Sequence, residues 1–151
     1  PEERYGIVVE RLISEFDVWP VVFGGGEDRP IGEGLVERWG RGHVAAGELG
    51  VRSAAEALSR CVLYLGNDTG TMHLAAAAGT RCVAIFSCRD QPGKWEPYGA
   101  GHEVLRAQIE CEGCMKEECK HRANACLRAI GVDEAHRACK EALNDQLRPI
   151  H

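Results

Sequence analysis

Residues 61–86 constrain the fold more than any other part of the chain. Cys61-Val62-Leu63-Tyr64-Leu65 is a short apolar run and reads as a buried strand. A polar turn follows, Gly66-Asn67-Asp68-Thr69-Gly70, and then a helix of small residues, Thr71-Met72-His73-Leu74-Ala75-Ala76-Ala77-Ala78-Gly79. Arg81 to Phe86 is the next apolar strand. Strand, helix and strand in close succession imply a parallel pairing with the helix laid on one face. A Gly-containing polar turn between a buried strand and a helix is where open α/β sheets bind ligands. Free N–H groups at the helix start suit an anion such as a phosphate. Asp68, Thr69 and His73 bring a carboxylate, a hydroxyl and an imidazole to that end. His73 stands four residues after Thr69, which places both on one face of the first turn.

The remaining chain continues the alternation. Ile7, Val8, Leu12, Ile13 and Phe16 give Glu2 to Phe16 the spacing of an amphipathic helix. Val18 to Phe23 reads as a strand interrupted at Pro20, and Gly24-Gly25-Gly26-Glu27-Asp28 as the turn that ends it. A second helix is expected over Ile31 to Trp39 and a short strand at His43-Val44-Ala45. Ser53 is the expected N-cap of a helix reaching about Arg60. A Pro- and Gly-containing loop occupies Ser87 to Gly101, and Glu103 to Arg106 is a last short strand. Asp133 is placed to cap a final helix through about Leu147. The expected fold is α/β, a Rossmann-like parallel sheet with helices on both faces. It forms one domain over 1–151: a core over 1–106, then a cysteine-rich segment and terminal helix over 107–151. Such folds normally begin with a strand. This one begins with a helix, so a first strand is expected upstream, in a longer protein.

Four features bear on chemistry, each with a plainer reading. The Asp68-Thr69-Gly70-x-x-His73 turn is either a clamp for a diphosphate or sugar, or ordinary helix capping. In the clamp, N–H groups of Thr69, Gly70 and Thr71 face the anion and His73 adds a donor. The Gly24 to Asp28 turn offers Glu27 and Asp28 to a ribose, or is a solvated Gly-rich turn. It is not G-x-G-x-x-G, which disfavours a nicotinamide enzyme. Lys94, Trp95 and Tyr98 either close over a sugar or base, or pin a surface loop. Cys111-x2-Cys114-x4-Cys119-x6-Cys126 has donors for a tetrahedral zinc, with His121 as a substitute ligand. Only its first pair has the usual zinc-ligand spacing, so thiols or disulfides are favoured over zinc. Cys61 and Cys82 are expected to be buried small hydrophobes. No Ser-His-Asp set, H-E-x-x-H or P-loop is present.

Composition narrows the classes. With 18 Lys and Arg against 23 Asp and Glu the net charge is −5, which argues against a nucleic-acid partner. No apolar run reaches the roughly 18 residues of a membrane span, and the chain does not open with an export signal. The expected compartment is the cytoplasm, where eight cysteines need not mean disulfides.

The chain resembles the C-terminal half of glycosyltransferase family 9, the heptosyltransferases of lipopolysaccharide core assembly. Val21-Val22-Phe23-Gly24-Gly25-Gly26-Glu27-Asp28, Gly47 to Leu58 and Asn67-Asp68-Thr69-Gly70-Thr71-Met72-His73-Leu74-Ala75-Ala76-Ala77 carry the likeness. Val83-Ala84-Ile85-Phe86 and Trp95-Glu96-Pro97-Tyr98-Gly99 extend it, and Cys111 to Ile130 resembles the tail of the heptosyltransferase II branch. The resemblance implies a GT-B fold of two Rossmann-like domains facing a cleft. It implies inverting transfer from a nucleotide sugar, commonly ADP-heptose, with no metal needed for the chemistry. Asp68, Thr69, Gly70, Thr71 and His73 would then surround the diphosphate and sugar. Glu27 and Asp28 would meet the ribose, and Leu49 would border the adenine. The base and the site for a lipid A-core or similar glycan acceptor would lie in an N-terminal domain outside this chain. The full protein would meet the inner membrane peripherally, and this chain alone would be inactive. Two departures stand out. The family's Gly-, Ser-, Thr- and Lys-rich phosphate loop would precede Pro1, and Ser87-Cys88-Arg89-Asp90 replaces a Gly and Pro-Thr-type turn. The alternatives are a truncated or stand-alone nucleotide-binding module, another GT-B relative such as a nucleotide-sugar epimerase, or a zinc-stabilised interaction domain organised on the cysteines.

Overall fold

The computed structural model describes residues 2–116, 119 and 124–147. Twelve elements follow one another: α1 Glu2–Phe16, β1 Val21–Val22, a 3-10 turn Gly26–Asp28, α2 Arg29–Trp39, β2 His43–Val44, α3 Val51–Ser59, β3 Tyr64–Asn67, α4 Gly70–Ala77, β4 Cys82–Phe86, β5 Glu103–Arg106, α5 Ala125–Ala129 and α6 Val132–Leu147. Every strand pair is parallel. β1 pairs with β2, and a second sheet runs β3-β4-β5 with β4 in the centre. The α/β class read from the alternation is the class observed.

β4 is apolar throughout because both its faces are covered. Val83 and Ile85 point into a core made with α1 and α6. Cys82, Ala84 and Phe86 point the other way, toward α3 and α4. On α6 the buried positions Ala135, Ala138, Cys139, Ala142 and Leu143 recur at helical spacing and meet Val8 and Leu12 of α1. The alanines let the two helices approach closely, while Leu12 and Leu143 each contribute about 1.5–3 kcal/mol of burial. Burial pushes the Cys139 thiol up to about 12, so it stays neutral. Arg11–Asp133 at 2.6 Å and Lys140–Glu15 at 2.7 Å rim this contact. On α4, Met72, Ala75 and Ala76 are buried, so the alanine run serves close helix–sheet packing.

Four local expectations need correction. The first strand is only Val21–Val22. Pro20 has no N–H to give to a ladder, although its carbonyl accepts from His43 at 3.0 Å. β3 begins at Tyr64 instead of Val62, so Cys61 lies before the strand and is only half-buried. The Cys61 N–H turns back to the Leu58 carbonyl at 2.8 Å, which uses this segment to end α3. Ser53 sits inside α3, whose N-cap is Gly50, because Ala54 already bonds the Gly50 carbonyl at 2.9 Å. Asp133 lies within the first turn of α6, where Arg11 takes its carboxylate, and the Gly131 carbonyl accepts the helix's early bond from Ala135.

Candidate functional site

β3 delivers its C-terminal end as Gly66 and Asn67, and the chain then turns through Asp68 and Thr69 into α4. Asn67 is held from below, its side-chain oxygen accepting from the Tyr5 hydroxyl at 2.7 Å. Thr69 occupies the N-cap in extended geometry, yet its side chain makes no capping bond. Its hydroxyl lies near the Tyr64 phenol. Tyr64 lies over Gly66 so closely that a Cβ there would meet the phenolic oxygen at 2.4 Å. Gly66 thus leaves room for the Tyr64 ring. The first intrahelical bond runs from His73 to the Thr69 carbonyl, at 3.2 Å. The N–H groups of Gly70 and Thr71 precede it and have no acceptor within the helix. The plain capping alternative therefore fails for Thr69, and the helix start keeps its capacity for an anion.

His73 Nε2 faces Asp68 Oδ1 at 3.6 Å, with both side chains partly open to solvent. That separation is too long for a hydrogen bond and suits an ion pair when the imidazole is protonated. Desolvation raises the Asp68 carboxyl above its ordinary range; His73 opposes this, Asp90 adds to it, and Arg106 and Arg89 oppose it. These influences place a charged group from the loop after β4, and one from the end of β5, around the same turn. Asp90 and Arg106 were not singled out from sequence. The signal for Arg106 is positional, since the C-terminal end of β5 shares an edge with that of β3 in a parallel sheet.

A raised carboxyl has a defined stability signature. Folded protein holds the Asp68 proton to higher pH than unfolded chain. Its contribution is neutral below the ordinary aspartate value of about 4 and becomes unfavourable as pH rises through the raised value. Asp68→Asn is therefore expected to melt at the same or a higher temperature than the parent at pH 7, with the difference closing below about pH 4. Thermal melts across that range check it; a lower melting temperature at pH 7 would contradict it. A variant as stable as the parent or more so would mark Asp68 as kept for something other than stability.

The Gly24 to Asp28 turn leaves the C-terminal end of β1, in the other sheet. Asp28 is taken by its own turn, accepting from the Gly25 N–H at 2.9 Å. Glu27 is exposed, with its carboxylate folded back over Gly25. Gly47, just past β2, packs against this turn at φ +73, where a Cβ would meet the Gly26 Cα at 2.8 Å. Its N–H donates to the Gly24 carbonyl at 3.0 Å. Leu49 follows and is 40% exposed, as is its neighbour Val51 at 74%. An apolar ledge thus lies on the loop that packs against the Glu27 turn.

The loop after β4 is tied to its own residues. Lys94 is committed to Asp90 at 2.9 Å and stands over the Trp95 ring at 5.7 Å. Tyr98 is 88% exposed, and its carbonyl contacts His102 Nε2 at 3.1 Å. Cys88, expected only as a loop residue, is buried. Cys111, Cys114, Cys119 and Cys126 are half-buried thiols, and His121 lies outside the described residues.

A family model for glycosyltransferase family 9 (heptosyltransferase) matches residues 1–124, more than half of the chain. The chain belongs to this family. Among curated relatives, lipooligosaccharide heptosyltransferase 2 of Campylobacter jejuni subsp. jejuni is 24% identical over 97 residues, covering 63% of this chain and 30% of the relative. A glycosyltransferase family 9 crystal structure from Veillonella parvula superposes with TM-score 0.78 at 28% identity, over 96% of this chain and 42% of that one. E. coli ADP-heptose LPS heptosyltransferase II gives TM-score 0.79 at 24% identity, over 98% and 43%, a likeness of fold. The family 9 chain thus spans less than half the length of these relatives, whose architecture is GT-B. Among its described residues no helix is long and apolar enough to cross a membrane.

Proposed function

We propose that this family 9 chain is the donor-binding domain of an inverting glycosyltransferase, taking an ADP-heptose-like nucleotide sugar for lipopolysaccharide core synthesis in the cytoplasm. The observation that carries the proposal is the Asp68–His73 turn: an uncapped helix start, an imidazole and a carboxylate at the C-terminal end of a parallel strand. The diphosphate takes the N–H groups of Thr69, Gly70 and Thr71, with His73 as a charged donor. Asp68 holds His73 and accepts from sugar hydroxyls. Glu27 receives the ribose hydroxyls, with Asp28 shaping its turn, and Leu49 borders the adenine. As the glycosidic C–O bond breaks, negative charge grows on the departing diphosphate. Donors fixed toward that charge strengthen during the reaction, and so accelerate it rather than merely binding substrate.

The base that activates the acceptor hydroxyl belongs to the partner domain of the GT-B cleft, as does the lipid A-core acceptor site. The 151-residue chain is therefore expected to bind donor and to give no transfer. Incubation of the purified chain with ADP-heptose and a lipid A-core acceptor, read by mass spectrometry, tests this. Product above the no-protein control would show that the chain carries its own base and would overturn the domain assignment.

A further inference from the structure

The cysteine-rich segment is unused by the donor-binding reading. Cys88, Cys111, Cys114, Cys119 and Cys126 together line a single cavity of about 210 Å³ beyond the end of β4, with Lys116 and Arg89 beside them. The Cys111–Cys114 loop is fastened to the strand's exit by its backbone. Gly113 donates to the Cys88 carbonyl at 2.7 Å and Met115 to the Arg89 carbonyl at 3.0 Å. Gly113 and Met115 hold left-handed backbone at φ 72 and φ 54, which turns the loop tightly between them. Cys126 enters from the first turn of α5.

The five thiols are not equivalent. Cys88 is 1% exposed and its Sγ donates to the Ala107 carbonyl at 2.7 Å, so it is already engaged as a wall of the core. The other four are half-buried around the cavity. Four soft donors and no carboxylate among the lining residues describe a zinc site rather than a calcium or magnesium site. We propose that Cys111, Cys114, Cys119 and Cys126 bind one Zn²⁺ as a tetrathiolate that closes this cavity. Each thiol gives up its proton to solvent as it ligates, so the bound cluster carries a net charge of −2. Lys116 and Arg89 stand where that charge needs cations. Arg106 adds to this: its side chain is 10% exposed, its Nη1 stands 3.9 Å from Glu112, and its Nε and Nη2 have no hydrogen-bond partner among the described residues. Among the described residues no three His, Cys, Asp or Glu side chains already stand at ligand distances. Binding therefore draws the four thiols inward, the cavity supplying the room. Its consequence is structural: the metal would pin residues 87–90, and with them Asp90, next to Asp68.

The test is the metal content of the 151-residue chain, purified under reducing conditions without chelator. About one zinc per chain is expected, with cobalt substitution giving the absorption bands of a tetrahedral thiolate site. Cys114→Ser and Cys126→Ser are expected to lower the zinc content at least about five-fold, while Cys88→Ala retains it. Should the serine variants fail to fold, alkylation of the parent chain decides instead: four thiols protected by zinc and exposed by chelator. A zinc-free parent with no cobalt bands would overturn the proposal. So would an intact mass four hydrogens light, which would assign the same cysteines to two disulfides.

Discussion

Phe86→Ala is expected to cost about 3–5 kcal/mol of folding stability, the range for emptying a buried aromatic site. The ring is 2% exposed and packs with Met72 and Ala84 under α4, with Tyr64 and Val104 at its margins. Its removal has a second consequence. The Arg106 guanidinium stacks over the Phe86 ring at 5.7 Å and leaves two buried nitrogens without hydrogen-bond partners. Without the ring, a buried cation loses one of its favourable contacts and keeps the Asp90 carbonyl at 2.8 Å and the Glu112 carboxylate at 3.9 Å. Domains of this size are stable by roughly 5–15 kcal/mol, so the variant should lose a large share of its urea resistance. Phe86→Leu keeps most of the volume and is expected to recover more than half of that loss. A change below about 1 kcal/mol for Phe86→Ala would show that this face of β4 is not the core described here.

His73→Ala is expected to weaken ADP-heptose binding by roughly 10- to 100-fold, equivalent to about 1.5–3 kcal/mol for a hydrogen bond to a charged group. The fold should survive, because His73 is partly exposed and belongs to none of the three core clusters. Asp68→Ala should act in a different way. In the proposed donor site its carboxylate serves sugar hydroxyls, so the preference for ADP-heptose over ADP should fall about 10-fold. Competition binding of both ligands to both variants separates the two roles. Equal losses for ADP and ADP-heptose in Asp68→Ala would remove Asp68 from the sugar side of the site.

The layered fold was legible because its strands are covered on both faces. Cys82 to Phe86 is an unbroken apolar run, and α1 and α6 carry clean helical spacing, so their types and most of their limits follow from pattern. Strand ends were less legible. β3 extends into Gly66 and Asn67, which are poor strand residues, because β4 offers Ala84 and Ile85 as ladder partners. Val62 has strand propensity but is 49% exposed, since the preceding segment is spent on ending α3. Tertiary pairing overrode local preference in both cases.

The site was legible in part for the same reason. Asp68, Thr69 and His73 fall in one local turn, so sequence spacing could place them, and His73 also faces Asp68 there. Asp90 and Arg106 reach that turn only through the parallel order of β3, β4 and β5, which local pattern does not encode. The conformation of the loop carrying Lys94, Trp95 and Tyr98 was not legible. Lys94 is drawn to Asp90 and Trp95, an arrangement that depends on a left-handed backbone at Trp95, φ 67. A non-glycine residue in that region is not readable from sequence.

The central claim is that the Asp68–His73 turn binds the diphosphate of a nucleotide sugar. Titration calorimetry of the 151-residue chain with ADP-heptose tests it most directly, with His73→Ala as the paired sample. Saturable one-to-one binding by the parent, weakened at least about 10-fold in His73→Ala at unchanged melting temperature, is the predicted result. Binding of equal strength in the two proteins, or none by a folded parent, would contradict it.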